Sequence, residues 1–128
     1  MTAFPDSHRD LLRAPVAVLA TRGADGHPQV SALWFVLDGD TPALSFNTSR
    51  QKTKNLQRDP ACTLCLLDPA TPYRTLEIRA RAELRPDTEG RVAGQVQRKY
   101  GADVRQNDRA GETRLAVILP PIKINTWG

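Results

Sequence analysis

Residues 74–84 alternate without a break. Leu76, Ile78, Ala80, Ala82 and Leu84 take one face, and Thr75, Glu77, Arg79, Arg81 and Glu83 take the other. A period of two is buried on one side only by a β-strand with a wet face, so this segment commits the chain to an antiparallel sheet. Other segments follow suit. Residues 16–21 are an apolar β-type run, and residues 22–28 form a Gly- and Asp-rich hairpin turn. Residues 29–37 are apolar on both alternating sets, as in a strand covered on both faces. A second turn at 38–42 leads to a strand at 43–46, and another strand surrounds Cys62 and Cys65. Residues 114–127 make the last strand. Pro120 and Pro121 offer no ladder donors, so this strand must bulge or lie at an edge there. About six short, turn-separated strands predict a mainly β fold closed as a barrel.

Two or three short helices complete the chain. Residues 6–13 suggest one, with Leu11 and Leu12 facing inward and Pro15 beyond its end. Asp87 or Thr88 can cap another that runs to about Tyr100 and stops at Gly101. The third lies within residues 47–60, and its charges are the wrong way round. Asn47, Thr48 and Ser49 are N-cap candidates and Pro60 is a stop, yet Arg50 and Lys52 occupy the first turn, with Lys54 close behind. A helix N-terminus carries partial positive charge and favours Asp or Glu. Cations there cost a few tenths of a kcal/mol each unless an anion arrives. Capping hydroxyls, free N–H groups and surface cations around one point describe a phosphate site.

A length of 128 residues fits one domain, residues 1–128. The net charge of +4 makes an anionic partner plausible, either a phosphorylated cofactor or a nucleic acid. Aromatic content is only 5%, and Trp34, Phe35 and Phe46 fall in apolar strands, which disfavours a base-stacking nucleic-acid surface. No apolar run reaches 18 residues, and residues 1–6 lack the basic start and apolar centre of a signal peptide. A cytoplasmic protein with no membrane partner is the expectation. Cys62 and Cys65 have C-x-x-C spacing but no second pair for zinc, and they read as inert thiols on opposite faces of a strand. His8 and His27 read as surface residues. There is no G-x-S-x-G serine, no evident Cys–His pair and no G-x-G-x-x-G loop. No catalytic side chain stands out, so a bound cofactor would have to carry the chemistry of an enzyme of this kind.

The order of these features resembles a known family. Strand, hairpin and strand precede S-R-x-K-x-x-N-L-x-x-D-P at residues 49–60. The alternating strand at 76–84 and a closing P-I-K-I-N-T-W-G at 121–128 follow. This is similar to the pyridoxamine 5′-phosphate oxidase-like proteins, and within them to the deazaflavin (F420)-dependent reductases. Ala80 departs from the pattern, since relatives commonly carry Gly there. The resemblance implies a six-stranded antiparallel split β-barrel and a homodimer with a cofactor groove between its two barrels. It implies that Arg50 and Lys52 hold the cofactor phosphate, assisted by Ser49 and Asn55; the Thr48 hydroxyl and the Lys54 cation belong to the same cofactor-binding set. Pro28, Val30, Ser31, Ala32, Leu33 and Trp34 would line the ring, and Trp127 would approach the partner's site. Reduced coenzyme F420 would then transfer a hydride to a small electron-poor acceptor such as an enone or quinone. FMN in the same groove, running oxidase or reductase chemistry, and a non-catalytic cofactor carrier remain open alternatives.

Overall fold

The six strand-forming runs become nine strands, because three of them bend out of one sheet into another. The computed structural model describes residues 3–128. Its strands are β1 (Ala17–Arg22), β2 (Pro28–Leu33), β3 (Val36–Asp38), β4 (Thr41–Asn47), β5 (Ala61–Asp68), β6 (Thr71–Arg81), β7 (Glu83–Pro86), β8 (Arg114–Ile118) and β9 (Pro121–Trp127). One antiparallel sheet has the order β2-β1-β5-β6-β9, and the other β3-β4-β8-β7. The chain passes between sheets at Trp34 and Phe35, at Ala82, and at Leu119 and Pro120. Ladder bonds are interrupted at these corners, and other segments replace them: the Ala82 N–H donates to Pro60 O (2.8 Å) and the Leu119 N–H to Pro42 O (2.9 Å). Pro120 sits where no donor is required, which answers the constraint read from the sequence. The result is a mainly β split-barrel fold.

Both sheets send their apolar sets inward. Leu19, Leu64, Leu66, Leu76 and Ile78 of the larger sheet meet Leu44, Phe46 and Val117 of the smaller. Each such side chain contributes roughly 1.5–3 kcal/mol by burial. The alternation of residues 74–84 is realised as expected, with Leu76 and Ile78 fully buried and Arg79 and Arg81 exposed. Cys62 is buried and Cys65 half-buried, on opposite faces of β5. Burial pushes the Cys62 thiol up to about 11 and also raises Cys65, so both are held in the unreactive protonated form.

Two α-helices flank the sheets, α1 (Gln51–Arg58) against β1 of the larger and α2 (Arg91–Tyr100) against the smaller. Val92 and Val96 of α2 pack on Val36, Ala43 and Ala116. Asp87 caps α2 from beyond a turn, as foreseen, accepting from the N–H groups of Arg91 (2.8 Å), Val92 (3.4 Å) and Ala93 (3.0 Å). Gly101 closes the helix in the left-handed region. The N-terminal helix is a 3-10 helix, Asp6–Arg13, with Leu11 and Leu12 buried. It also buries His8, which the sequence reading placed at the surface. Docking this short helix against the core carries His8 onto the end of the last strand. Its Nε2–H donates to Trp127 O (3.1 Å), and its Nδ1 accepts from the Ser7 hydroxyl (2.8 Å). No helix among the described residues is long and apolar enough to cross a membrane.

Candidate functional site

The corner at which β2 leaves its sheet opens a cleft of about 320 Å³. Ala32, Leu33 and Trp34 form one wall, Phe46 and Asn47 at the end of β4 a second, and Arg50 and Lys52 at the start of α1 a third. Val96, Val104, Asn107 and Arg114 close the remaining side.

Asn47 makes the turn from β4 into α1. Its side-chain oxygen accepts from the Ser49 N–H (3.2 Å) and hydroxyl (2.7 Å), its amide donates to Asp108 (3.1 Å), and its carbonyl accepts from the Thr53 hydroxyl (2.8 Å). The three expected N-caps therefore do not cap α1. Asn47 and Ser49 bond to each other, and Thr48 binds the Thr113 backbone as donor and acceptor (both 3.1 Å). Arg50 stands at the N-cap in extended conformation, and no side chain caps the helix. The helix start is left open toward the cleft.

Lys52 is the unusual group there. It was read as a surface residue, but it is only 8% exposed. Its ammonium lies 5.0 Å from the Phe46 ring centroid, and it has no carboxylate partner among the described residues. Burial lowers its pKa, and the Arg50 charge lowers it further. Its ammonium is partly desolvated at the cleft margin, a setting that favours an anion over bulk water as its neighbour. Arg114, on the far wall, differs. Its Nε donates to Asp108 (3.1 Å) and a terminal nitrogen to Val104 O (2.8 Å), so its charge is already balanced.

An aromatic surface stands beside the cations. The Trp34 ring stacks on Tyr100 with centroids 4.4 Å apart and planes within 6°. The Tyr100 hydroxyl accepts from the Phe35 N–H and donates to Phe35 O (both 3.2 Å). Lys99 donates to Ala14 O (3.0 Å) and Phe35 O (2.9 Å), and burial pushes its ammonium down to about 8.

The residues singled out from the sequence thus divide. Ala32, Leu33, Trp34, Arg50 and Lys52 meet in the cleft; the others do not line it. Asn55 is fully buried and turned inward, donating to Thr21 Oγ1 (3.1 Å) and Gln29 Oε1 (2.7 Å), and so it fastens α1 to β1 and β2 rather than facing an anion. Ser31 is half-buried, Ser49 and Lys54 are exposed, and Thr48 is tied to Thr113. Pro28 and Val30 lie on the outer face of the larger sheet, as does Trp127, which is 72% exposed on edge strand β9. Phe46, Asn47, Asn107 and Arg114 were not foreseen. Only Asn47 gave a local signal, as a helix-cap candidate; Arg114 arrives by strand pairing with β4.

Comparison with known proteins places this geometry. The pyridoxamine 5′-phosphate oxidase family model matches residues 4–128. A solved structure titled F420 reductase is 31% identical, with 95% of this chain and 98% of that chain covered and a TM-score of 0.82. The conserved hypothetical protein Rv2991 of Mycobacterium tuberculosis is 25% identical over 98% of this chain and 85% of its own, with a TM-score of 0.79. HutZ, a heme storage protein of Vibrio cholerae, shares the fold at 19% identity, covering 94% of this chain and 93% of its own, with a TM-score of 0.75. The curated proteins gave no match. A flavin or deazaflavin class of cofactor fits both the cationic cleft and these likenesses. The chain belongs to the pyridoxamine 5′-phosphate oxidase family, and its likeness to an F420 reductase extends over nearly its whole length.

Proposed function

We propose that this protein is an oxidoreductase that uses reduced coenzyme F420 to pass a hydride to a small electron-poor acceptor of the enone or quinone kind. The observation that carries this reading is Lys52, a nearly buried cation without a counter-ion, in a cleft walled by an exposed aromatic ring. Lys52 and Arg50 would hold the cofactor's phosphate. Ser49, Thr48 and Lys54 lie around the same helix end and extend the positive rim. Ala32, Leu33 and Trp34 would lie against the ring. The cofactor, when bound, supplies the hydride chemistry. The chain's own part is to orient the ring, neutralise the anion and limit water, and orientation alone carries much of such a rate.

A homodimer belongs to this reading. The outer face of the larger sheet is mostly apolar from β2 to β5, with Val30 and Ala32 beside Val18 and Ala20, and then Cys65 and Thr63. A second copy would cover this patch and turn Pro28, Val30 and Trp127 toward a shared groove. A monomer at micromolar concentration by light scattering would remove that groove from the reading.

FMN offers the same phosphate and a flat ring, so the two cofactors are separated by titration. The purified protein is titrated with F420 and with FMN by fluorescence, and the reduced complex is then mixed with enones and quinones. Saturable F420 binding and oxidation of the reduced cofactor are expected. Tighter FMN binding would transfer the reading to FMN-dependent chemistry. Binding without turnover by any acceptor would leave a cofactor carrier, and binding of neither would overturn the assignment.

A further inference from the structure

We infer that Tyr100, which does not line the cleft, is the positioning residue for its aromatic wall. The inference rests on the reading of the cleft as a ring site. Phe35 lies where the chain leaves β2 and has not yet entered β3, so its backbone has no ladder partners. A fully buried residue cannot leave its N–H and C=O unpaired. The end of α2 supplies the partners. Tyr100 bonds both the N–H and the C=O of Phe35 through one hydroxyl, and Lys99 adds a second donor to the same carbonyl. The Lys99 ammonium also lies 3.8 Å from the Phe35 ring centroid. The corner backbone is thereby fastened to α2 and not to either sheet.

Trp34, one residue earlier, is 40% exposed and borders the cleft. An exposed indole on a corner segment is free to rotate unless something holds its plane. Here the parallel Tyr100 ring covers one face at 4.4 Å and leaves the other available. The same side chain therefore fixes the backbone that carries Trp34 and the plane of the indole. Tyr100 acts through Trp34, and the ring site senses it at one remove.

The test uses the full chain; quenching is read in a Trp127→Phe background, so that Trp34 is the single tryptophan, and cofactor affinity is read with Trp127 intact, the parent for affinity being the unsubstituted chain. Tyr100→Leu removes the stack and both hydroxyl bonds; Tyr100→Phe keeps the stack and removes the bonds. Acrylamide quenching of Trp34 should rise in Tyr100→Leu. Affinity for F420 or FMN should fall about two- to tenfold, the range expected from loss of one aromatic pair. Tyr100→Phe, which keeps the stack and frees the corner backbone, should recover part of the affinity and give quenching between the parent and Tyr100→Leu, a graded rescue that a merely structural role would not produce. Parental quenching in Tyr100→Leu overturns the inference, as does raised quenching with parental cofactor affinity. If the chain with Trp127 intact binds neither cofactor, the ring-site reading fails, while quenching still decides whether Tyr100 holds Trp34. Should Tyr100→Leu fail to fold, Tyr100→Met is read by the same two measurements against the same outcomes.

Discussion

The two α-helices meet the same local problem and resolve it in opposite ways. Each begins with unpaired N–H groups and no acidic residue in its first turn. At α2 the chain brings in Asp87, whose carboxylate accepts from three of those groups. Gly90 makes the approach possible. It stands at φ 69°, in the left-handed region that favours glycine, with the Arg105 guanidinium close by. At α1 the available polar groups are engaged elsewhere, and Arg50 and Lys52 stand at the open end. One helix start is satisfied from within the fold. The other is left electropositive and faces a cleft. A local rule broken without internal compensation is expected at functional or strained sites, and this one coincides with the cleft proposed to take the cofactor.

The largest effect on stability should come from breaking the satisfied end. Asp87→Ala removes three charge-assisted bonds and should cost about 2 kcal/mol in urea unfolding, with cofactor affinity within about twofold of the parent. A large loss of affinity instead would mean that both helix starts serve the cleft.

Lys52→Met should do the reverse. Affinity should drop about ten- to hundredfold, corresponding to roughly 1.5–3 kcal/mol, while stability is unchanged or raised because an unpaired cation leaves the interior. A destabilised protein with intact affinity would place Lys52 beside Asp87 as a structural group. The pH dependence follows with a definite sign. Burial and Arg50 hold the Lys52 pKa below its ordinary value in the free protein. A bound anion raises it, so the complex retains the proton to higher pH than the free protein does. Affinity is therefore fully present below the free-state pKa and declines as pH rises through it. That decline should be absent in titrations of Lys52→Met.

The smallest effect should come from reversing an exposed charge. Lys54→Glu places an acid near the start of α1 and should stabilise the helix by about 0.3–1 kcal/mol. Cofactor affinity should weaken about two- to fivefold at low salt and less at high salt. Equal affinity at both salt concentrations would put Lys54 outside the field of the site.

How much of this was legible in the sequence depended on the range of the interaction. The alternation of residues 74–84, the turn-bounded runs, the Asp87 cap, the Gly101 stop and the excess of cations before Pro60 are written within a few residues of one another. A period of two or of 3.6 and the chemistry of caps are local, so the strands, both α-helices and the anomaly at Arg50 and Lys52 could be read directly. Alternation fixes the face a side chain takes, but not which of two sheets the strand joins. Register and the bends at Trp34–Phe35, Ala82 and Leu119–Pro120 were decided by how the two sheets pair and pack, a matter of contacts between distant segments. For the same reason only the tertiary structure could bring Arg114 and Asn107 to Lys52, turn Asn55 inward, bury His8 against Trp127 and set Tyr100 behind Trp34. The sequence determined that cations crowd one helix start, because cap chemistry is local; the packed sheets decided which side chains from distant segments surround it.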